Sequence, residues 1–132
     1  MSTPTRWPNF TREELTCHCG CGQALMDEGF MDMVQALRTS LGFPFRINSA
    51  YRCAKHDEQV GGSSAPGAGP HTRGRALDIA VSGERAFELV RGALARGFTG
   101  VGIMARGPHG GRYVHLDNLR AEEAPRPTLW SY

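Results

Sequence analysis

Gly69-Pro70-His71-Thr72-Arg73-Gly74-Arg75-Ala76-Leu77-Asp78-Ile79 is the stretch that decides how this chain is read. It ends in the apolar run Ala76-Leu77-Asp78-Ile79-Ala80-Val81, which predicts a buried strand. Asp78 falls inside that run. A carboxylate buried without a partner is very costly, so the strand implies that a partner exists. A metal ion is one such partner, and His71, just upstream, is the natural second ligand.

The last predicted strand supplies a third. Tyr113-Val114-His115-Leu116-Asp117 alternates polar and apolar residues. Side chains at i and i+2 share a face of a strand, so Tyr113, His115 and Asp117 face one way and Val114 and Leu116 the other. His71, Asp78 and His115 then form a His/Asp/His set. Two imidazoles and a carboxylate suit one Zn2+ ion, and three protein ligands leave a fourth position for water. Such a site is catalytic in type. Zinc would acidify the water and polarise a carbonyl, as amide hydrolysis requires.

Outward from this core the elements follow from periodicity. Residues 1–26 read as an N-terminal arm with a Cys/Gly-rich segment. It includes a short helical turn before Leu15 that Asn9 or Thr11 could cap. Phe30, Met33, Val34, Leu37 and Leu41 form the stripe of a helix over Asp27 to Leu41, stopped by Gly42 and Pro44. Phe45 to Ser49 predicts a strand and Ala54 to Val60 a short helix. Gly61 to Pro70 is a glycine-rich loop that delivers His71. Ser82 is a plausible N-cap for a helix over Gly83 to Arg96 with Phe87, Val90 and Leu94 as its inner stripe. Val101 to Met104 and Arg112 to Asp117 predict a hairpin around Gly107–Gly111. The tail is expected to pack Leu129 and Trp130 on the body. The order favours a single α+β domain over residues 1–132: a small, mostly antiparallel sheet with helices packed on one face and a site on the open face.

Bulk properties exclude several classes. With 132 residues and a net charge of +2, the chain has neither the basic excess nor the clustered arginines of a nucleic-acid binder. No apolar run approaches a membrane span of about 18 residues. The N-terminal stretch lacks the apolar segment of a secretory signal. Cys17, Cys19, Cys21 and Cys53 leave three readings: a structural Cys/His zinc site, which the C-x-C-x-C spacing fits poorly; a disulfide from one of the three to Cys53; and, favoured, free thiols packed against the core.

The combination H-x-x-G-x-A-x-D-I at His71 to Ile79, followed by V-H-x-D at Val114 to Asp117, resembles the zinc D-Ala-D-Ala carboxypeptidases and peptidoglycan endopeptidases. That group shares its fold with hedgehog domains. The small single-domain branch is the closer likeness. Phe10 with Glu14 to Gly22, Ser49 to Cys53, Val60-Gly61-Gly62 and the terminal Leu129 to Tyr132 also fit it. The resemblance implies a hedgehog/DD-peptidase-like fold and a zinc metallopeptidase cleaving peptidoglycan stem peptides or cross-links beside a D-amino acid. The partners implied are those stem peptides; nucleic acid and a membrane span are not, and the chain is expected to be a monomer. With no leader read, it is expected to stay cytoplasmic until a holin or particle releases it to the periplasm or cell wall.

Arg52 matches the arginine of the family's S-x-Y-R stretch, which implies binding of the substrate carboxylate or the oxyanion; a surface salt bridge is the plainer reading. Relatives place a glutamate three residues before the last ligand or a histidine two before it as general base. Here those positions are Arg112 and Tyr113, and Gly69 stands where the family often has serine. Asp117 is the first candidate instead, either as base or as hydrogen-bond partner of a ligand. His109 is a looser candidate, and Tyr113 could donate to the oxyanion. His56 reads as structural and His18 as a surface residue. The rival class is a non-catalytic zinc-bearing binding or structural module of phage or cell-wall machinery.

Overall fold

The computed structural model describes residues 3–60 and 69–132. The expected Gly61–Ala68 portion of the central loop, with the Gly61-Gly62 pair, lies outside them. The elements run α1 (Arg12–Leu15), α2 (Glu28–Leu41), β1 (Arg46–Ser49), α3 (Ala54–Gln59), β2 (Ala76–Ala80), α4 (Gly83–Ala95), β3 (Gly100–Met104), β4 (Tyr113–Asp117) and β5 (Thr128–Ser131). A single 3-10 turn, His109–Gly111, joins β3 to β4. The fold is α+β, as expected. No helix among the described residues is long and apolar enough to cross a membrane.

The five strands form one sheet in the order β1-β2-β4-β3-β5, antiparallel except for the β3–β5 pair. Because strand side chains alternate, each strand contributes to both faces. Leu77, Ile79, Val101, Val114 and Leu116 lie on the helix-covered face. They pack with Phe30, Met31, Val34 and Leu37 of α2 and Leu89 and Ala93 of α4. Full burial of each large apolar side chain is worth roughly 1.5–3 kcal/mol, so this layer holds the domain together.

Local signals explain the helix ends. Thr11 and Glu14 form a reciprocal capping box on α1. The Asp27 carboxylate accepts from the Phe30 amide at 2.8 Å to start α2, and Gly42, at φ +76°, ends it.

Three details differ from expectation. The inner stripe of α4 is Leu89 and Ala93, with Ala86 and Val90 partly buried; Phe87 and Leu94 are exposed, rotated off the core by about one position. Ser82 takes the N-cap position but makes no capping bond, since its hydroxyl pairs with His109 Nδ1 at 3.2 Å. The tail is a fifth, edge strand rather than a packed arm, on which Trp130 is half-buried and Leu129 exposed. The thiol reading also needs correction. Cys17 is buried, but Cys19 and Cys21 are exposed and Cys53 is half-buried, with no two joined. Core packing therefore accounts for Cys17 alone.

Candidate metal centre

The sheet register lays out the open face. Ser49 is opposite Asp78, Asp78 opposite His115, His115 opposite Gly102, and Gly102 opposite Trp130. One row perpendicular to the strands therefore carries a serine, a carboxylate, an imidazole, a glycine and an indole. Asp117 belongs to the next row, opposite Ala76 on one side and Gly100 on the other.

His71 comes from the turn before β2. That turn needs glycine at position 74: its φ is +67°, and a Cβ there would sit 2.0 Å from the Leu25 carbonyl oxygen. The turn is tied at both sides, Asp27 N–H to the Gly74 carbonyl at 2.9 Å and Arg52 N–H to the His71 carbonyl at 3.3 Å. The His71 ring is oriented by its Nδ1, 2.7 Å from the Ala50 carbonyl. A carbonyl only accepts, so Nδ1 carries the hydrogen and Nε2 presents its lone pair to the centre. Nε2 lies 3.4 Å from Asp78 Oδ1.

His115 Nδ1 lies 3.0 Å from the same Oδ1, and its Nε2 lies 2.7 Å from Asp117 Oδ2. The three groups, all buried, thus converge on one point. A neutral imidazole has one N–H to donate, yet His115 faces a carboxylate through each nitrogen. Without a metal, both nitrogens must be protonated; burial alone lowers the His115 pKa, but hydrogen bonds to Asp117 and Asp78 outweigh it and raise it. A cation on the Nδ1 side resolves the same conflict. A tetrahedral ion with ligands at about 2.1 Å has ligand–ligand edges of about 3.4 Å, close to the spacing found here. The donor set fits zinc.

Burial pushes the Asp78 pKa up, but the His115 and His71 imidazoles beside it dominate and hold it well below the usual carboxylate range. Its second oxygen accepts from Arg52 Nη2 at 3.2 Å, while Arg52 Nη1 donates to Asp57 at 3.0 Å and Nε to Ser49 Oγ at 3.0 Å. Arg52 is therefore no surface salt bridge: it spans two buried carboxylates beside the His/Asp/His cluster.

Asp117 is 0% exposed. Besides His115 it accepts from Arg126 Nε at 2.9 Å, Arg126 Nη2 at 2.7 Å and the Leu119 amide at 3.3 Å. Burial raises its pKa, but the bonds from Arg126 and His115 bring it down to about 2. Tyr113 lines the cleft over the centre, with its ring 5.3 Å from that of Tyr132. Burial raises both phenols, Tyr132 to about 12, so both stay hydrogen-bond donors at neutral pH. His109 is exposed and bonded to Ser82, and His18 is exposed; neither lines the cleft. His56 faces the cysteines instead.

Several site residues were missed in the sequence. Asp57 sits among Lys55, His56 and Glu58, where a single buried carboxylate looks like any solvated charge. Trp130, Tyr132 and Arg126 come from the tail. Trp130 lies 5.1 Å from the His115 ring and under the Arg126 guanidinium. Their signal was indirect: Gly100 and Gly102 empty one face of β3. A Cβ at Gly100 would lie 2.2 Å from Asp117 Oδ1, and one at Gly102 would lie 2.5 Å from the Trp130 ring.

A search of curated proteins gives no match. The protein-family model described as peptidase M15 matches residues 8–117. That span includes His71, Asp78 and His115 together with Arg52 and Asp57, and M15 peptidases depend on zinc. The chain therefore belongs to the M15 family of zinc metallopeptidases.

Proposed function

We propose that the chain hydrolyses peptide bonds within bacterial peptidoglycan, beside a D-amino acid, with His71 Nε2, Asp78 Oδ1 and His115 Nδ1 holding zinc. The convergence of those three atoms at the floor of an aromatic-walled cleft carries the reading. Zinc there would polarise the scissile carbonyl and acidify an attacking water. The protein's own groups orient and balance it. Ala50 fixes the His71 tautomer and Asp117 that of His115, the usual arrangement in which a carboxylate or carbonyl aims a ligating imidazole.

Asp117 is thus a positioning residue. All its acceptor capacity is turned away from the cleft, which argues against a role as base. Among the described residues Asp57 is the one carboxylate besides Asp78 that lines the cleft, and it is our candidate for accepting the water's proton. Arg52 donates toward the developing oxyanion, with the Tyr113 hydroxyl as a second donor. Arg52 serves Asp57 and Asp78 through one hydrogen of each terminal nitrogen, which leaves the second of each free to donate.

A specific observation favours a second reading, a zinc-bearing module that binds without cutting: Arg112 and Tyr113 occupy the positions where relatives carry a base. Purified protein with zinc on isolated peptidoglycan, with products identified by mass, separates the readings. Cleaved stems or cross-links support the endopeptidase, and free D-Ala would mean a carboxypeptidase. Intact peptidoglycan with zinc bound would mean a binding module. His115→Ala should abolish cleavage; cleavage that survives it would place the site elsewhere.

A further inference from the structure

We propose that Cys17, Cys19, Cys21 and Cys53 form a second, structural zinc site, separate from the His/Asp/His centre and independent of the peptidase reading. Their Sγ atoms all lie within 4.8 Å of one another. Three of the separations are nearly equal: 3.5 Å for Cys17–Cys19, 3.7 Å for Cys17–Cys53 and 3.5 Å for Cys19–Cys53. A disulfide would bring two sulfurs to about 2.05 Å and leave the others behind. A tetrahedral zinc with Zn–S bonds of about 2.3 Å places its sulfurs about 3.8 Å apart. The observed triangle matches the second arrangement, with Cys21 at the open vertex.

Hydrophobic packing cannot gather these thiols, because Cys19 and Cys21 are exposed. The backbone is built for convergence instead. The loop closes on itself through Cys17 N–H to the Gln23 carbonyl at 2.8 Å. Gly20 and Gly22, at φ +90° and +77°, take left-handed turns that fold the alternating cysteines to one side. This is how a C-x-C-x-C spacing, too tight for an ordinary zinc knuckle, reaches a tetrahedron. The Cys53 amide donates to Cys17 Sγ at 3.4 Å, and an amide donor of this kind stabilises a thiolate. Four soft thiolates select zinc among the common divalent ions. Each thiol releases its proton to solvent as the ion binds.

The position gives the site a purpose. Cys53 adjoins Arg52 and takes the N-cap position of α3, which carries Asp57. The ion would staple the N-terminal loop to the segment that holds both residues beside the catalytic centre.

The full-length chain, purified without chelator, should contain two zinc ions by elemental analysis. His115→Ala should retain one, and Cys19→Ser/Cys21→Ser should retain the other. Cobalt substitution should give an intense near-ultraviolet thiolate-to-metal band in the wild type and in His115→Ala, absent from the double cysteine variant. A wild type with one zinc that His115→Ala removes completely, and no thiolate band, overturns the proposal. So does an intact mass lower by two hydrogens, which marks a disulfide. If the cysteine variant does not fold, the wild-type and His115→Ala measurements still decide. A second zinc with inert peptidoglycan would defeat the peptidase reading and leave this one standing.

Discussion

Asp117→Asn tests the division of labour on β4. The substitution keeps size and shape but removes the charge shared by His115 and Arg126 and turns one acceptor into a donor. A carboxyl held at about 2 instead of the ordinary 3.8 is stabilised as its anion by roughly 2.5 kcal/mol. The variant loses that interaction and leaves the Arg126 guanidinium in place without its partner. Breaking one side of a buried pair costs about 3–5 kcal/mol, so the expected loss at pH 7 is about 3 kcal/mol, or roughly 10 °C in Tm. His115 also loses the acceptor that fixes its tautomer, and zinc affinity at that site should fall about 10- to 100-fold. Urea unfolding gives the first quantity and competition with a chromophoric chelator the second. A variant with wild-type stability and zinc affinity but a collapsed turnover would refute the reasoning and return Asp117 to the role of base.

The same carboxylate sets an acid limit. Its folded-state pKa is depressed, so its stabilisation is fully present above about pH 4 and is lost as pH falls toward about 2. The urea midpoint of chelated protein should drop through that window, and less steeply in Asp117→Asn. Gly74→Ala forces a side chain into the left-handed region and against the Leu25 carbonyl; about 2–5 kcal/mol of stability should be lost, measured by thermal unfolding. Arg52→Lys keeps the charge but cannot span Asp57, Asp78 and Ser49 together. Peptidoglycan cleavage should fall by about 10²- to 10³-fold with zinc content unchanged. A loss below threefold would remove Arg52 from the machinery.

The parts of the fold legible in the sequence were those whose periodicity is local. β2 and β4 could be read, and with them the shared face of Tyr113, His115 and Asp117, because alternation along a strand fixes its faces. α2 was legible through its stripe and its caps. α4 was legible in its bounds but not in its buried face, which is Leu89 and Ala93 with Ala86 and Val90 beside them, while Phe87 and Leu94 remain outside. β5 has no period of its own. It exists because β3 offers a free edge, a fact available only once the sheet is assembled. Asp57 and Arg126 were equally hidden, since what marks them is burial against Arg52 and Asp117, which no local periodicity announces. The cysteine spacing fits no regular knuckle, and only the two left-handed glycines, Gly20 and Gly22, change its geometry.

β5 has a practical consequence. Its Trp130 and the following Tyr132 form one wall of the cleft, so the chain leaves the fold at the mouth of the site. Anything joined after Tyr132, whether a purification tag, a fluorophore or a targeting module for directing the protein to a chosen cell surface, would begin at the mouth of the cleft where the proposed substrate enters. Such fusions belong at the opposite terminus, and a C-terminal one would act as a tethered plug whose length tunes access.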